Sequence, residues 1–386
     1  MNIVLLPSSY YPAVGGVEVL TSNLASTLRR GGHSVEVWTY SHTGHADVEI
    51  IDETTIRRFD FVLPSRAAWG LSVLQRSTRT LLAMRHAAAE FRPDVFHVQC
   101  FSGNGAYGVA LAVATRRPLI VTLQGETIMD DQQIYEHSLS LRLSLRLATR
   151  LAFATTACSD FALQDAIQRV NIRPRRTNVI YNGVPLDVLE EPVGIPERPY
   201  FVALGRVVPN KGFDLLLDAF RRFASEERDI DLVIGGIGPA LESLRHLTAE
   251  WGLNSRVHFA GPLSSGQVAT VLRSSLALIV PSRVEPFGIV VLEGWRAGVP
   301  VVATSIGGPR EFVEDGISGY LVDPHNVTSL ADRLQLLSKE PQIRTTIGAA
   351  GEQRLTDFSW ERIASEYESV YRSAIEHGTQ KTNPAI

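Results

Sequence analysis

Pro281-Ser282-Arg283-Val284-Glu285-Pro286-Phe287-Gly288-Ile289-Val290-Val291-Leu292-Glu293-Gly294-Trp295-Arg296-Ala297-Gly298, followed at once by Val299-Pro300-Val301-Val302-Ala303, organises this chain of 386 residues. It is entered from an apolar run at 276–280 and reads as a loop carrying a carboxylate, a short helix opening near Phe287, and a second buried strand at 299–303. Continuous apolar runs bounded by Gly and Pro are what a sheet covered on both faces requires. The Pro-Phe-Gly segment supplies what an anion site needs: Pro fixes the turn, Gly lets a ligand approach the backbone, and the first helical N–H groups have no partner of their own. A phosphate placed there meets the positive end of the helix. Glu285 stands just before that end, and Glu293 about two turns into the helix. Two carboxylates around an anion-binding helix start cannot both be phosphate ligands. They are expected to accept hydrogen bonds from hydroxyls, such as those of a sugar and a ribose.

Glu-x7-Glu in the form Glu285-Pro286-Phe287-Gly288 to Leu292-Glu293, with Gly298-Val299-Pro300-Val301-Val302-Ala303 behind it, resembles the retaining glycosyltransferases of family 4, which have the GT-B fold. Further matches are Gly15-Gly16-Val17-Glu18, Gly205-Arg206 with Lys211-Gly212, Gly235-Gly236-Ile237-Gly238-Pro239, and Asp315-Gly316-Ile317-Ser318-Gly319. Together, in the family's order, these motifs make the resemblance specific for fold and donor class, though not for substrate.

Length beyond one ordinary core makes two domains the default. Composition is that of a globular protein with a formal charge of only -4, so no global field argues for nucleic acid. Basic residues are almost all Arg, the three Lys being Lys211, Lys339 and Lys381. Lys211 falls in a glycine-flanked loop where a flexible point charge suits a diphosphate. Cys100 and Cys158 each end an apolar run and read as small core residues, which fits a reducing compartment better than a disulfide. No apolar run approaches a membrane span. A cytoplasmic protein is expected, with contact at the inner face of a membrane left open.

Strand and helix patterns alternate through the first half: strands at 2–6, 34–39, 95–100, 119–123, 154–158 and 178–180, helices at 17–30, 104–115, 139–151 and 160–169. Such alternation implies right-handed parallel crossovers and a doubly wound sheet. The pattern breaks near Tyr181-Asn182-Gly183, and a polar passage spaced by prolines at 185–199 reads as the linker. A second series begins at 200–204 and continues through strands at 230–234, 257–260, 276–280, 299–303 and 320–322. The expected division is 1–190 for an acceptor-side Rossmann-like domain and 191–359 for a nucleotide-sugar domain, the two facing across a cleft. The last helix, about 360–376, carries Ile363, Tyr367, Val370, Tyr371 and Ala374 on one stripe. In the resembled family this helix crosses back to the first domain. A polar, flexible tail is expected at 377–386.

Gly205-Arg206 and Lys211-Gly212 follow a predicted strand and open a helix, so two cations at a strand's carboxyl end would neutralise a leaving diphosphate. The other reading is an exposed loop with ordinary charges. The glycines at 235–238 allow backbone approach to a base or phosphate, but a Gly-rich turn is common in any doubly wound sheet. A nicotinamide enzyme would want Gly-x-Gly-x-x-Gly after its first strand, where only Gly15-Gly16 occurs. Gly15-Gly16 is either a helix-start turn or, as the resemblance implies, a point where backbone abuts donor phosphates and acceptor. Glu18 is structural or faces the acceptor. The family commonly has His where this chain has Gln124; Gln bridges hydroxyls but carries no proton. Glu126, Asp130 and Asp131 are candidates for acceptor recognition or solvated loop acids. His97 reads as a satisfied core histidine, and His33 as a surface or loop residue. Asp229-Ile230-Asp231 spells a metal-binding pattern but precedes its strand, so it is assigned to surface charge and no metal is expected. Arg142, Arg146 and Arg150 form a stripe that would rest on anionic lipid, grip an acidic acceptor, or be a solvated face.

The expected activity is metal-independent transfer of a hexose or N-acetylhexosamine from a nucleoside-diphosphate sugar, uridine favoured over guanosine, to a hydroxyl acceptor with retention. The expected donor contacts are Arg206 and Lys211 on the diphosphate, the backbone of Phe287, Gly288 and Ile289 at phosphate and sugar, Glu285 on sugar hydroxyls and Glu293 on the ribose diol. Gly16, Gly236, Pro262 and Leu263 complete the donor set. Gly15, Gln124, Glu126 and Asp130 form the acceptor set. The alternatives are a sugar phosphorylase, a nucleotide-sugar hydrolase or epimerase on the same scaffold, or a non-catalytic nucleotide-sugar binder.

Overall fold

The computed structural model describes residues 1–13, 15–41, 47–62, 71–129 and 134–382. The chain divides into two compact units, one of Met1–Gly183 with Trp360–Ile386 and one of Val184–Ser359. The chain passes from the first to the second at 183/184, just before the proline-spaced passage at 185–199 begins, and returns at 359/360.

The first unit alternates β1 (Asn2–Pro7), α1 (Gly16–Arg30), β2 (Ser34–Tyr40), β3 (Asp47–Ile51), β4 (Thr54–Phe59), α2 (Leu71–Phe91), β5 (Val95–Gln99) and α3 (Gly103–Thr115). It continues through β6 (Leu119–Leu123), α4 (Ile134–His137), α5 (Leu139–Leu151), β7 (Ala154–Ala157), α6 (Asp160–Asp165) and β8 (Thr177–Val179). The sheet order is β3-β4-β2-β1-β5-β6-β7-β8, all parallel except the β3–β4 pair. Strands β5, β6 and β7 are buried along their whole length because helices cover both faces, which is why they read as unbroken apolar runs. Val4, Leu6, Trp38, Phe96, Val98 and Val121 form the centre of this core.

The segment between β2 and β5 carries structure the alternation pattern passes over: the β3–β4 hairpin and the 21-residue helix α2. The hairpin turns at Asp52 and Glu53, both at positive φ. Its register pairs Val48 with Arg57 and Ile50 with Thr55, and only one face of β4 is buried, so the apolar signal is diluted.

The second unit runs β9 (Tyr200–Leu204), α7 (Phe213–Glu226), β10 (Asp231–Gly235), α8 (Leu241–Glu250), β11 (Val257–Gly261), α9 (Ser265–Arg273) and β12 (Ala277–Val280). It then adds α10 (Ile289–Arg296), β13 (Val301–Thr304), α11 (Pro309–Phe312), β14 (Tyr320–Val322), α12 (Val327–Lys339) and α13 (Pro341–Gln353). Its six parallel strands are ordered β11-β10-β9-β12-β13-β14. The core packs Phe201, Phe220, Ile234, Ile279, Val302 and Leu334.

Helix α14 (Trp360–Thr382) belongs to the first unit and buries Ile363, Tyr367, Tyr371 and Ala374, with Tyr371 hydrogen-bonded to His97 of β5. The expected tail at 377–386 is helical through Thr382, and 383–386 lie outside the described residues. Asp231 corrects the surface reading of Asp229-Ile230-Asp231. It is buried at the start of β10 with Arg256 at 3.1 Å and His258 at 2.8 Å, because a carboxylate taken out of water needs a cation and hydrogen-bonding partners beside it. His33 likewise has a largely buried side chain, 3.1 Å from Glu368 of α14.

Candidate active site

In the second unit's sheet β9 and β12 are neighbours, while the chain leaves β9 toward β10 and leaves β12 toward β13. Loops diverging from adjacent parallel strands open a crevice at their carboxyl ends, the usual ligand position in such sheets. Arg206 and Lys211 lie on the first of these loops. Pro281 to Ile289 forms the second.

The two loops are tied together by charge. Lys211, closing the 3-10 turn Pro209–Lys211, puts Nζ 2.6 Å from Oε2 of the buried Glu285, which also accepts from the Ser282 hydroxyl at 2.8 Å. Arg283 grips Asp214 of α7 with both guanidinium arms, at 2.8 and 2.6 Å, and donates to the Pro209 carbonyl at 2.6 Å. Burial alone would raise the Asp214 pKa, but the Arg283 hydrogen bond and charge outweigh it and hold the carboxyl below its ordinary value. From the other side, the Glu285 N–H donates to the Ile306 carbonyl at 3.1 Å, and the Gly308 N–H donates to the Glu285 carbonyl at 2.8 Å. Glu285 is therefore fixed by side chain and backbone alike.

Arg206 is exposed at the end of β9. Phe287 is buried against Phe312, ring centroids 5.0 Å apart, so its backbone rather than its ring is what a ligand can meet. Gly288 takes φ of 92° as the N-cap of α10, a conformation that favours glycine, and the first turn of that helix has no side-chain cap. Helix α10 opens at Ile289, two residues later than the sequence pattern suggests, so Glu293 stands about one turn in rather than two. Burial pushes the Glu293 carboxyl up, with Arg296 opposing the shift.

Gly236 occupies φ of 131°, and a Cβ there would stand 1.9 Å from the Gly205 carbonyl oxygen. The neighbouring loop by itself requires glycine at this position. Leu263 rests against Gly235, and Pro262 is exposed beside it.

In the first unit the equivalent divergence falls between β1 and β5. Gly15 is extended and Gly16 begins α1, with buried Glu18 folded back so that a Cβ on Gly15 would meet its Oε2 at 2.9 Å. The Gln124 amide is clamped at both ends: its Nε2 donates to Gln99 Oε1 at 3.1 Å and its Oε1 accepts from Asn182 at 3.0 Å. Glu126 is no solvated loop acid. Its carboxylate accepts the backbone N–H groups of Phe101 and Gln124, each at 2.7 Å, while burial raises its pKa. Asp130 and Asp131 lie outside the described residues. His97 sits beneath, bonded to Tyr371 at 2.5 Å and Thr122 at 2.6 Å, its pKa pushed down by burial to about 3.

Sequence reasoning passed over Ser282, the Arg283–Asp214 pair, Gln99 and Asn182. Gln99 left a trace, a polar residue closing the buried run Val95-Phe96-His97-Val98. Among the described residues no cluster of three or more His, Cys, Asp or Glu could hold a metal, and no helix is long and apolar enough to cross a membrane.

Two doubly wound units, with an ion pair at the strand divergence of one of them, define an α/β protein of the GT-B class. The chain matches the glycosyltransferase family 4 domain over 14–188 and the glycosyl transferases group 1 domain over 188–354. It is 30% identical to a D-inositol 3-phosphate glycosyltransferase of Catenulispora acidiphila, over 94% of this chain and 92% of that one. An uncharacterised glycosyltransferase of Methanocaldococcus jannaschii is 28% identical over 95% and 97%. The chain belongs to the family 4 glycosyltransferases. Among solved structures, sucrose-phosphate synthase from Thermosynechococcus elongatus aligns with a TM-score of 0.82 at 21% identity, covering 98% and 100% of the two chains. Anabaena HepE, solved with UDP and glucose, aligns at 0.77 and 22%, covering 97% and 100%.

Proposed function

We propose that this glycosyltransferase moves a hexose or N-acetylhexosamine from a nucleoside-diphosphate sugar to a hydroxyl acceptor, with retention at the anomeric carbon and without a required metal. The observation that carries the reading is the buried Lys211–Glu285 pair at the strand divergence, beside the exposed Arg206 and the uncapped start of α10. Arg206, Lys211 and the backbone at Phe287, Gly288 and Ile289 take the diphosphate. Glu285 accepts from sugar hydroxyls through its remaining lone pairs, and Glu293 from the ribose diol. As the glycosidic bond breaks, negative charge grows on the leaving phosphate, and the two cations stabilise it there. The leaving phosphate takes the acceptor's proton. Uridine is favoured because the similar HepE is solved with UDP and with UDP-glucose. In the first unit, Gly15, Gly16 and the clamped Gln124 are assigned to acceptor and donor-sugar recognition.

A thermal-unfolding screen of uridine and guanosine diphosphate sugars tests the donor; a ligand near a hundred times its dissociation constant adds about 2.7 kcal/mol. Product anomers read by NMR, in chelator, test retention and metal independence. Turnover that needs inorganic phosphate, or no acceptor at all, would replace the transferase reading with a phosphorylase or hydrolase.

A further inference from the structure

Helix α5 (Leu139–Leu151) presents leucine to two opposite sides. Leu141, Leu145 and Ala148 are buried in the first unit's core, while Leu139, Leu143, Leu147 and Leu151 are 65%, 50%, 51% and 47% exposed. An ordinary surface helix places polar residues on that outer face. Here the outer leucines recur every four residues and wind through about 120° of the helix surface. Arg142, Arg146 and Arg150 follow the same repeat, each lying beside the leucine stripe, and the helix carries no acidic residue. Arg146 donates from Nε to the Val170 carbonyl, which ties its guanidinium to the neighbouring 166–170 segment.

The stripe does not end at the helix. Leu151 lines a cavity of about 240 Å³ shared with Val113, itself 61% exposed at the end of α3. Arg116, Arg117, Arg175 and Arg176 line the same cavity, whose lining contains no carboxylate. The Arg176 guanidinium lies 4.4 Å from the centre of the Phe153 ring, and Asp94 reaches Arg117 only at 3.9 Å. An apolar ridge thus runs into a pocket of four cations.

We propose that this face of the first unit docks on an anionic phospholipid surface, the outer leucines of α5 entering the headgroup–acyl boundary and the four-arginine cavity holding a lipid phosphate. Charge complementarity selects that occupant: arginines flanking an apolar stripe keep their heads at phosphate level while their stems lie along the leucines. One weak apolar insertion becomes a stable anchor only with a second, electrostatic signal, and the cavity supplies it. A partner helix fits less well. A strict four-residue repeat winds away from a straight seam, where a helix pair wants apolar residues every 3.5 positions on average.

The test is co-sedimentation of the full chain with vesicles of phosphatidylcholine alone and of equal parts phosphatidylcholine and phosphatidylglycerol. It needs neither donor nor acceptor, so its failure is separate from failure of the proposed reaction. Strong binding to the mixed vesicles, weak binding to the neutral ones, and release as salt rises are expected. Leu143→Ser with Leu147→Ser should cut the mixed-vesicle affinity by roughly tenfold or more. Arg116→Gln with Arg176→Gln should remove the preference for the anionic lipid. Both pairs should leave thermal unfolding unchanged; if the leucine pair does not fold, Leu139→Ser alone replaces it. Equal binding to both vesicles overturns the proposal, as does wild-type binding by the leucine variant. Thermal stabilisation by inorganic phosphate without vesicle binding would make the cavity a free-anion site and overturn it too. So would a change of mass in light scattering in the leucine variant, without vesicle binding, because the ridge would then be an interface between copies.

Discussion

Lys211 Nζ stands 2.6 Å from Oε2 of Glu285, two residues 74 apart in sequence and brought together by adjacent strands β9 and β12. The pair is mostly buried, so each side chain holds the other's charge in place before any ligand arrives. Neither can be removed without leaving its partner's charge in a poorly solvated site.

Lys211→Met and Glu285→Gln should each lower kcat roughly a hundredfold, about 2.7 kcal/mol of transition-state stabilisation. The double variant should fall little further than the worse single one, because the two act as a unit. Steady-state kinetics on the donor identified by the stabilisation screen reads both effects; two independent, additive losses would refute the coupling.

Gly236→Ala should destabilise the chain by roughly 2–4 kcal/mol, since its Cβ would overlap the Gly205 carbonyl at a φ that only glycine holds easily. Gly261→Ala is the control. It also has positive φ but open space around it, and should cost about 1 kcal/mol. Urea unfolding separates the two.

Arg283→Met should lower stability at neutral pH by about 1 kcal/mol through loss of the bidentate grip on Asp214. The Asp214 pKa is held below its ordinary value in the fold. Its contribution is therefore present above the unfolded pKa and disappears as pH falls through the folded one. The gap between wild type and variant should close in acid, as unfolding midpoints measured across that range would show.

His97 titrates oppositely to a salt-bridged histidine. Buried and neutral, with its pKa at about 3 against 6.5 when unfolded, it binds no proton in the fold while the unfolded chain takes one up. Stability should fall as pH drops from 6.5 toward 3. In His97→Gln, which keeps polar partners for Tyr371 and Thr122, that slope should be shallower. An unchanged slope would assign the acid sensitivity to other groups.

The strands at the centre of both sheets were legible because burial on both faces leaves an unbroken apolar run, as at Val95-Phe96-His97-Val98 and Ala277-Leu278-Ile279-Val280. Hairpin β3–β4 was not, because only one of its faces meets the core and the other reads as loop. Helix α10 was placed two residues early, since Pro286-Phe287 looks like a helix start while φ at Gly288 sets the real one.

By itself the sequence determined the two doubly wound units, the family, the two loops that carry Arg206, Lys211 and Glu285, and the helix that carries Glu293, because periodicity and glycine-bearing turns are local properties of the chain. Only the tertiary structure decided what those residues touch. That Lys211 neutralises Glu285, that Gly236 makes room for Gly205, that Glu126 binds backbone, and that α5 has a second, outward row of leucines all depend on which strands lie side by side and which helix faces the core covers. Residues far apart in sequence meet only when the sheet closes, and a run of letters carries no record of distance across it.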